Sequence, residues 1–269
     1  MIVGFSRCAQ ITLERLVMDW FRFGRILFAI AMMFFGLQYV IFAAALTGPV
    51  PGPPWTHGSI ITAWLSAVGF LVAGVSLATG GLARTTSLVL GIVFVLFGLI
   101  QYGPALGAKP HDPGLWTLLF ELLALGGGAF VITANSPHVV GEMRMLGGLG
   151  CWLISLSLVV FAVQHFIYGS FVAALIPAWI PARLFWAYFV GVAFVAAALS
   201  LVTGKMVSLT GSLLGIMFLI WVLILHLPRV AGSPRNGNEV TSLFIAVAMS
   251  GVGFALSSGR GDRFGGFGA

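Results

Sequence analysis

The chain has 269 residues, of which 59% are hydrophobic and 7% charged, and its mean hydropathy is +1.08. Soluble domains are closer to half apolar and a quarter charged, so this composition excludes an ordinary water-exposed surface and indicates an integral membrane protein in contact with the lipid bilayer. The net charge of +6 is read as membrane orientation and not as nucleic-acid binding, because basic residues gather on the cytoplasmic side of membrane spans.

The first 25 residues are not continuously apolar and so do not read as a signal peptide. Leu13, Leu16, Val17, Trp20 and Phe21 follow helical spacing, with Glu14, Arg15, Asp19, Arg22 and Arg25 on the other face. That pattern predicts an amphipathic helix lying in the membrane interface over 1–25. Apolar runs of about twenty residues follow, long enough to cross a hydrocarbon core of about 30 Å as helices. They are placed at 26–46, 60–79, 86–103, 115–134, 147–168, 184–203, 207–227 and 240–258. Barrel strands would alternate polar and apolar residues, and these runs do not. The fold class expected is all-α, with eight transmembrane helices.

The eight spans read as two copies of four. LGIVF at 90–94 returns as LGIMF at 214–218, Thr79-Gly80 as Thr203-Gly204, and Gln38-Tyr39 as Gln164-His165. Gly69 is matched to Gly191 and Trp64 to Trp186, an offset of 122 within a range that reaches 126. Four spans per copy is an even number, so the repeat is parallel. The expected organisation is therefore a first four-helix repeat over 26–134, a cytoplasmic linker over 135–145, a second repeat over 146–258 and a flexible tail over 259–269, the two repeats forming two four-helix bundles. Nine Lys and Arg fall on the side of both termini and four on the opposite side, which places both termini in the cytoplasm. Gly211 and Gly215 form a small-xxx-small pair suited to close helix packing.

Chemistry-bearing residues gather at the outer ends of the spans. Tyr39 and Tyr102 end the first and third spans of the first copy. His165 and His226 take those places in the second, which predicts that the two histidines lie near each other. Gln38 and Gln164 stand beside the first pair, and Gln164 could fix the His165 tautomer. Three readings stay open for these positions. One is an interfacial belt of amphipathic rings. Another is a quinone or small-molecule pocket lined by Gln164, His165, Tyr168, Trp179, Arg183, His226, Gln38, Tyr39 and Tyr102. The third is a bis-histidine haem or metal site, for which two histidines without a recognised spacing are thin grounds, so no metal is assigned. Glu121 is the one carboxylate inside an expected span. It reads either as a proton or ion carrier or as a hydrogen-bonded packing residue. Cys8 and Cys151 form no CxxC, so dithiol chemistry is not expected. No phosphate loop, HExxH or nucleophile elbow occurs.

The stretch from His165-Phe166 through Pro177-Ala178-Trp179-Ile180-Pro181 to Gly191 and Thr203-Gly204 resembles the DoxX/DoxD-like family of bacterial membrane proteins. The resemblance implies a four-helix unit, here fused twice over about 25–258, in a bacterial inner membrane. Some members are linked to quinone-coupled oxidation of sulfur compounds such as thiosulfate, and others accompany or help assemble redox enzymes. Many members carry an acidic residue in the second helix, where this chain has Val72 and Phe194. The function expected is thus a membrane subunit or accessory protein of a redox complex, anchoring other subunits and contacting quinone. The alternatives are a quinone-linked oxidoreductase of the thiosulfate type and a small-molecule transporter.

Overall fold

A computed structural model of the chain describes residues 2–43, 60–137, 143 and 145–258, and side-chain environments from Asp19 onward. The expectations for the tail, for the linker residues around His138 and Arg144, for the loop holding His57 and for the apolar and polar faces of 1–18 lie outside the described residues. No strand occurs among the described residues. Ten α-helices do: α1 (Ile2–Gln38), α2 (Ile60–Thr79), α3 (Ala83–Ala108), α4 (Pro113–Asn135), α5 (Met145–Ile167), α6 (Gly169–Leu175), α7 (Arg183–Thr203), α8 (Val207–Trp221), α9 (Leu227–Gly232) and α10 (Gly237–Ser257). Seven of the described helical segments are long and apolar enough to cross a membrane, and Ala63–Thr79 of α2 is a shorter apolar segment. The protein is an all-helical, multi-pass membrane protein.

The helix limits follow local chemistry. Asp112 caps α4, accepting from the Gly114 and Leu115 amides at 2.9 and 3.3 Å, with Pro113 at the first helical position. Asn236 caps α10, accepting from the Asn238 amide at 3.0 Å. Both satisfy amide donors that a helix start leaves free. Gly80 (φ 85°) and Gly204 (φ 69°) end α2 and α7 in the left-handed region that suits glycine.

Three local features depart from the sequence reading. α1 runs unbroken through the 25/26 boundary, and its segment Asp19–Ile41 is long and apolar enough to cross a membrane. Single π-helical turns occur at Tyr39–Ala43 and Val222–His226, and the chain of the seventh expected span stays helical to Gly232 beyond the expected end at 227. The loop after α5 contains the helix α6, and the prolines at 177 and 181 bracket a turn closed by Ile180 N–H donating to the Pro177 carbonyl at 3.0 Å.

α4 and α10 are the two most enclosed helices, with near-continuous burial over Leu119–Thr133 and Leu243–Ser257. α1 packs along α2 and α10, and α5 packs along α7 and α4. α3 lies on α4, α8 lies on α10, and α4 meets α10. The expectation of two self-contained bundles therefore needs correction, because α1 packs on α10 from the far end of the chain. Glycine is the reason. A Cβ on Gly24 would sit 2.5 Å from the Gly251 carbonyl oxygen, and one on Gly127 would sit 2.7 Å from that of Gly150. Only bare backbones approach so closely, and small residues are what permit it in membranes. By contrast α2 and α3 touch lightly, as do α7 and α8.

The same geometry fixes the role of Gly211, where a Cβ would lie 2.5 Å from the Ser257 amide nitrogen and 2.6 Å from the Gly253 carbonyl oxygen. Gly211→Leu is expected to destabilise the fold by about 1–3 kcal/mol or more, as overpacked cores do. Gly103→Ala meets no atom within 4 Å and should stay within about 0.5 kcal/mol. Thermal unfolding in mild detergent checks both, and equal melting temperatures for the two variants would refute this packing account.

Candidate functional site

The light contact between α2 and α3 leaves a cavity of about 1060 Å³ that residues of both halves of the chain line. α4 and α10 form its back wall. Phe35, Phe70, Phe94 and Phe97 supply aromatic walls. Val72, Val89 and Val93 line it while remaining exposed on the outer surface of α2 and α3, so the cavity opens sideways between those helices. It runs from Leu82 and Thr86 at one end of α3 to Tyr102 at the other. Twenty helical residues at about 1.5 Å each give it a length near 30 Å, comparable with a hydrocarbon core.

Polar groups concentrate at the Tyr102 end. Glu121, Thr117, Asn238, Thr241 and Ser242 line the cavity there. Glu121 is half-buried, makes no hydrogen bond among the described residues and lies within electrostatic range of the Tyr102 phenol. An ionised carboxylate in such a place is costly unless something pairs with it. The site therefore offers a hydroxyl that can donate or accept, a carboxyl that can accept or exchange a proton, and a long apolar chamber beneath them.

The expected site residues distribute differently. Gln38 is buried and donates through Nε2 to the Gly237 carbonyl at 3.0 Å and to Thr241 Oγ1 at 2.5 Å, with Oε1 buried and unpaired. Gln164 Nε2 donates to the Pro113 carbonyl at 2.9 Å, and its Oε1 accepts from Thr117 Oγ1 at 3.2 Å. Both glutamines thus fasten one helix to the first turn of another. Gln164 does not fix the His165 tautomer. His165 Nδ1 instead pairs with the Phe161 carbonyl at 2.8 Å, one turn back on its own helix.

Tyr39 is buried and stacked on Phe70 at 6.0 Å. The second-half histidines do not share a bond or ring contact. His165 meets the Phe194 ring edge-on at 5.3 Å, and Phe194 in turn packs against Phe161, Phe218 and Trp221. Large rings thus occupy the space beside His165. His226 is half-buried, and its Nδ1 is buried without a partner. Arg229 in the next turn bonds Glu239 at 2.7 Å.

Tyr168, Trp179 and Arg183 lie on the exterior. Trp179 is 73% exposed, and Arg183 opens α7 with its side chain exposed. Those positions suit anchoring at the headgroup level. Sequence reasoning passed over Thr117 and Thr241. The available signal was that each stands four residues after a helix-starting Pro113 or Gly237, with the same separation of 124. Among the described residues no group of three or more His, Cys, Asp or Glu could hold a metal ion.

No family model matches the chain, and no curated protein or solved structure is significantly similar to it.

Removing either glutamine takes away the cross-helix bonds but leaves the threonine bonded to its own helix carbonyl. Gln38→Ala is expected to cost about 0.5–1.5 kcal/mol, the net worth of an ordinary hydrogen bond, and Gln164→Ala, whose bond to Pro113 is exposed, less. Unfolding of the purified variants in detergent measures it, and wild-type stability in both would remove these contacts from the list of fold determinants.

Proposed function

We propose that this protein binds a lipid-phase molecule of the quinone class in the cavity between α2 and α3, as a membrane subunit or accessory protein of a redox complex. The cavity with its unpaired Glu121 beside Tyr102 carries this reading. A quinone or quinol needs an apolar channel for its tail, aromatic walls for its ring, and polar groups at its oxygens. Phe70, Phe94 and Phe97 are placed for the ring, Tyr102 can donate to a carbonyl, and Glu121 can accept from a hydroxyl. Entry from the bilayer suits a ligand that lives in the membrane. The reading moves the ligand away from His226 and from His165, which Phe194 meets edge-on.

On this proposal the chain is an eight-span protein made by tandem duplication of a four-helix unit of DoxX-like type. Several paired geometries support the duplication. Gln38 bonds Gly237 and Thr241, as Gln164 bonds Pro113 and Thr117. Ser76 and Thr86 bond at 2.7 Å, as Ser200 and Thr210 do at 2.6 Å. Gly24 lies on Gly251 as Gly150 lies on Gly127. The hydroxyl pairs and the left-handed glycines favour an offset of 124 for the second spans. Gly191 then corresponds to Ala67 and not to Gly69, and Phe194 corresponds to Phe70. The two halves interlock, each first helix lying on the fourth helix of the other copy. Lys and Arg counts support termini on the cytoplasmic side of a bacterial inner membrane.

The test is to purify the protein from its native membrane in mild detergent and identify what it retains. Wild type should keep a quinone near one equivalent. Glu121→Leu and Tyr102→Phe should each lower retention about tenfold, the loss of one good hydrogen bond to the ligand. His165→Ala should retain it. Loss in His165→Ala with full retention in both cavity variants would reverse the assignment. Stoichiometric partner polypeptides in the same preparation would support the subunit role, and their absence would count against it.

A further inference from the structure

We infer that Arg25, with Arg22, forms a binding site for the phosphate of an anionic lipid at the membrane face where α2 turns into α3, at the far end of the cavity from Tyr102 and Glu121 and independent of the quinone reading. Arg25 is half-buried, and its guanidinium rests against Gly80, where a Cβ would lie 2.7 Å from one terminal nitrogen and 3.0 Å from the other. The turn is thus shaped to admit that guanidinium: Gly80 is left-handed, and any side chain there would displace it.

Among the described residues no acid pairs with Arg25. Arg25 has no hydrogen bond or ion pair among the described residues, and its Nε is buried and unpaired. Arg22, one turn back on α1, lies within electrostatic range and adds a second positive charge. Asp19 stands a further turn back, and the only ion pair among the described residues is Arg229 with Glu239. Arg84, exposed in the first turn of α3, brings a third cation to the same turn in sequence. A partly desolvated guanidinium without an acid is expensive, and its planar fork matches phosphate oxygens. The α2–α3 turn sits where the chain reverses at a membrane face, which is the depth of lipid phosphates. Anionic lipids are drawn to such juxtamembrane cations. At the matching place on α5 the chain carries Cys151, buried and uncharged, so the site belongs to the first half alone.

The experiment is native mass spectrometry of the full chain in mild detergent with added dioleoyl phosphatidylglycerol or dioleoyl phosphatidylcholine. Wild type should retain the anionic lipid over the zwitterionic one by about tenfold, and Arg25→Gln should abolish that preference, as expected for loss of a charge-assisted bidentate contact. Arg25→Lys should restore part of it. Arg22→Gln, on an exposed position that does not threaten folding, should weaken it and serves if Arg25→Gln does not fold. Glu121→Leu should leave it unchanged, which separates this site from the Tyr102 end of the cavity. Displacement by millimolar inorganic phosphate would assign the site to phosphate from any source, and resistance to it would assign the site to the lipid. Equal retention of both lipids by wild type, or an unchanged preference in both arginine variants, would overturn the proposal.

Discussion

Backbone contact between α1 and α10 at Gly24 and Gly251, and between α5 and α4 at Gly150 and Gly127, is the constraint on which the architecture rests. In a bilayer, lipid tails are as apolar as leucine, so helices gain little from hiding apolar surface from one another. They gain from close packing and from hydrogen bonds made away from water. Glycine supplies the closeness here. Once α1 and α5 lie so near α10 and α4, the amide ends of Gln38 and Gln164 reach the first turns of those helices. The latch contacts then follow from the glycine contacts.

Concentrating tight packing around α4 and α10 leaves the outer helices less constrained. α2 and α3 meet lightly over most of their length and are joined near their turn by the Ser76–Thr86 hydroxyl pair. α7 and α8 are joined by the corresponding Ser200–Thr210 pair. Beside α7 and α8, Phe194 packs with Phe161, Phe218 and Trp221, and between α2 and α3 Phe70 packs with Phe35 and Phe94 at the wall of the chamber.

Polar groups in this chain follow a strict pattern. Most buried hydroxyls return to a carbonyl three or four residues back or cross to a neighbouring helix, as Ser155, Ser157, Thr133 and Ser250 do. Unpaired polar atoms in an apolar interior are costly, so the exceptions stand out. Among the described residues they are Gln38 Oε1, His226 Nδ1 and Arg25 Nε, which are buried and unpaired, and Glu121, which lines the chamber without a hydrogen bond.

Much of the fold was legible in the residues. Continuous apolar runs and low charge define membrane helices, and their limits at 60–79, 184–203 and 207 onward agree with α2, α7 and α8 to within a residue at most ends. Glycine and proline positions marked the turns, and Glu121 was conspicuous as an acid within a span. The partnership of helices was not legible, because apolar sequence does not encode which apolar face meets which. The histidines looked like a site because they are chemically unusual. Only packing revealed that Phe194 and its neighbours fill the space beside His165. Likewise Gln164 adjoins His165 in sequence, yet helical geometry points its amide at α4. The sequence alone determined that this chain lives in a membrane as long helices, since composition and run length are local properties. Tertiary structure decided where the empty volume and the unpaired charges lie, since both depend on residues that meet only when distant helices pack.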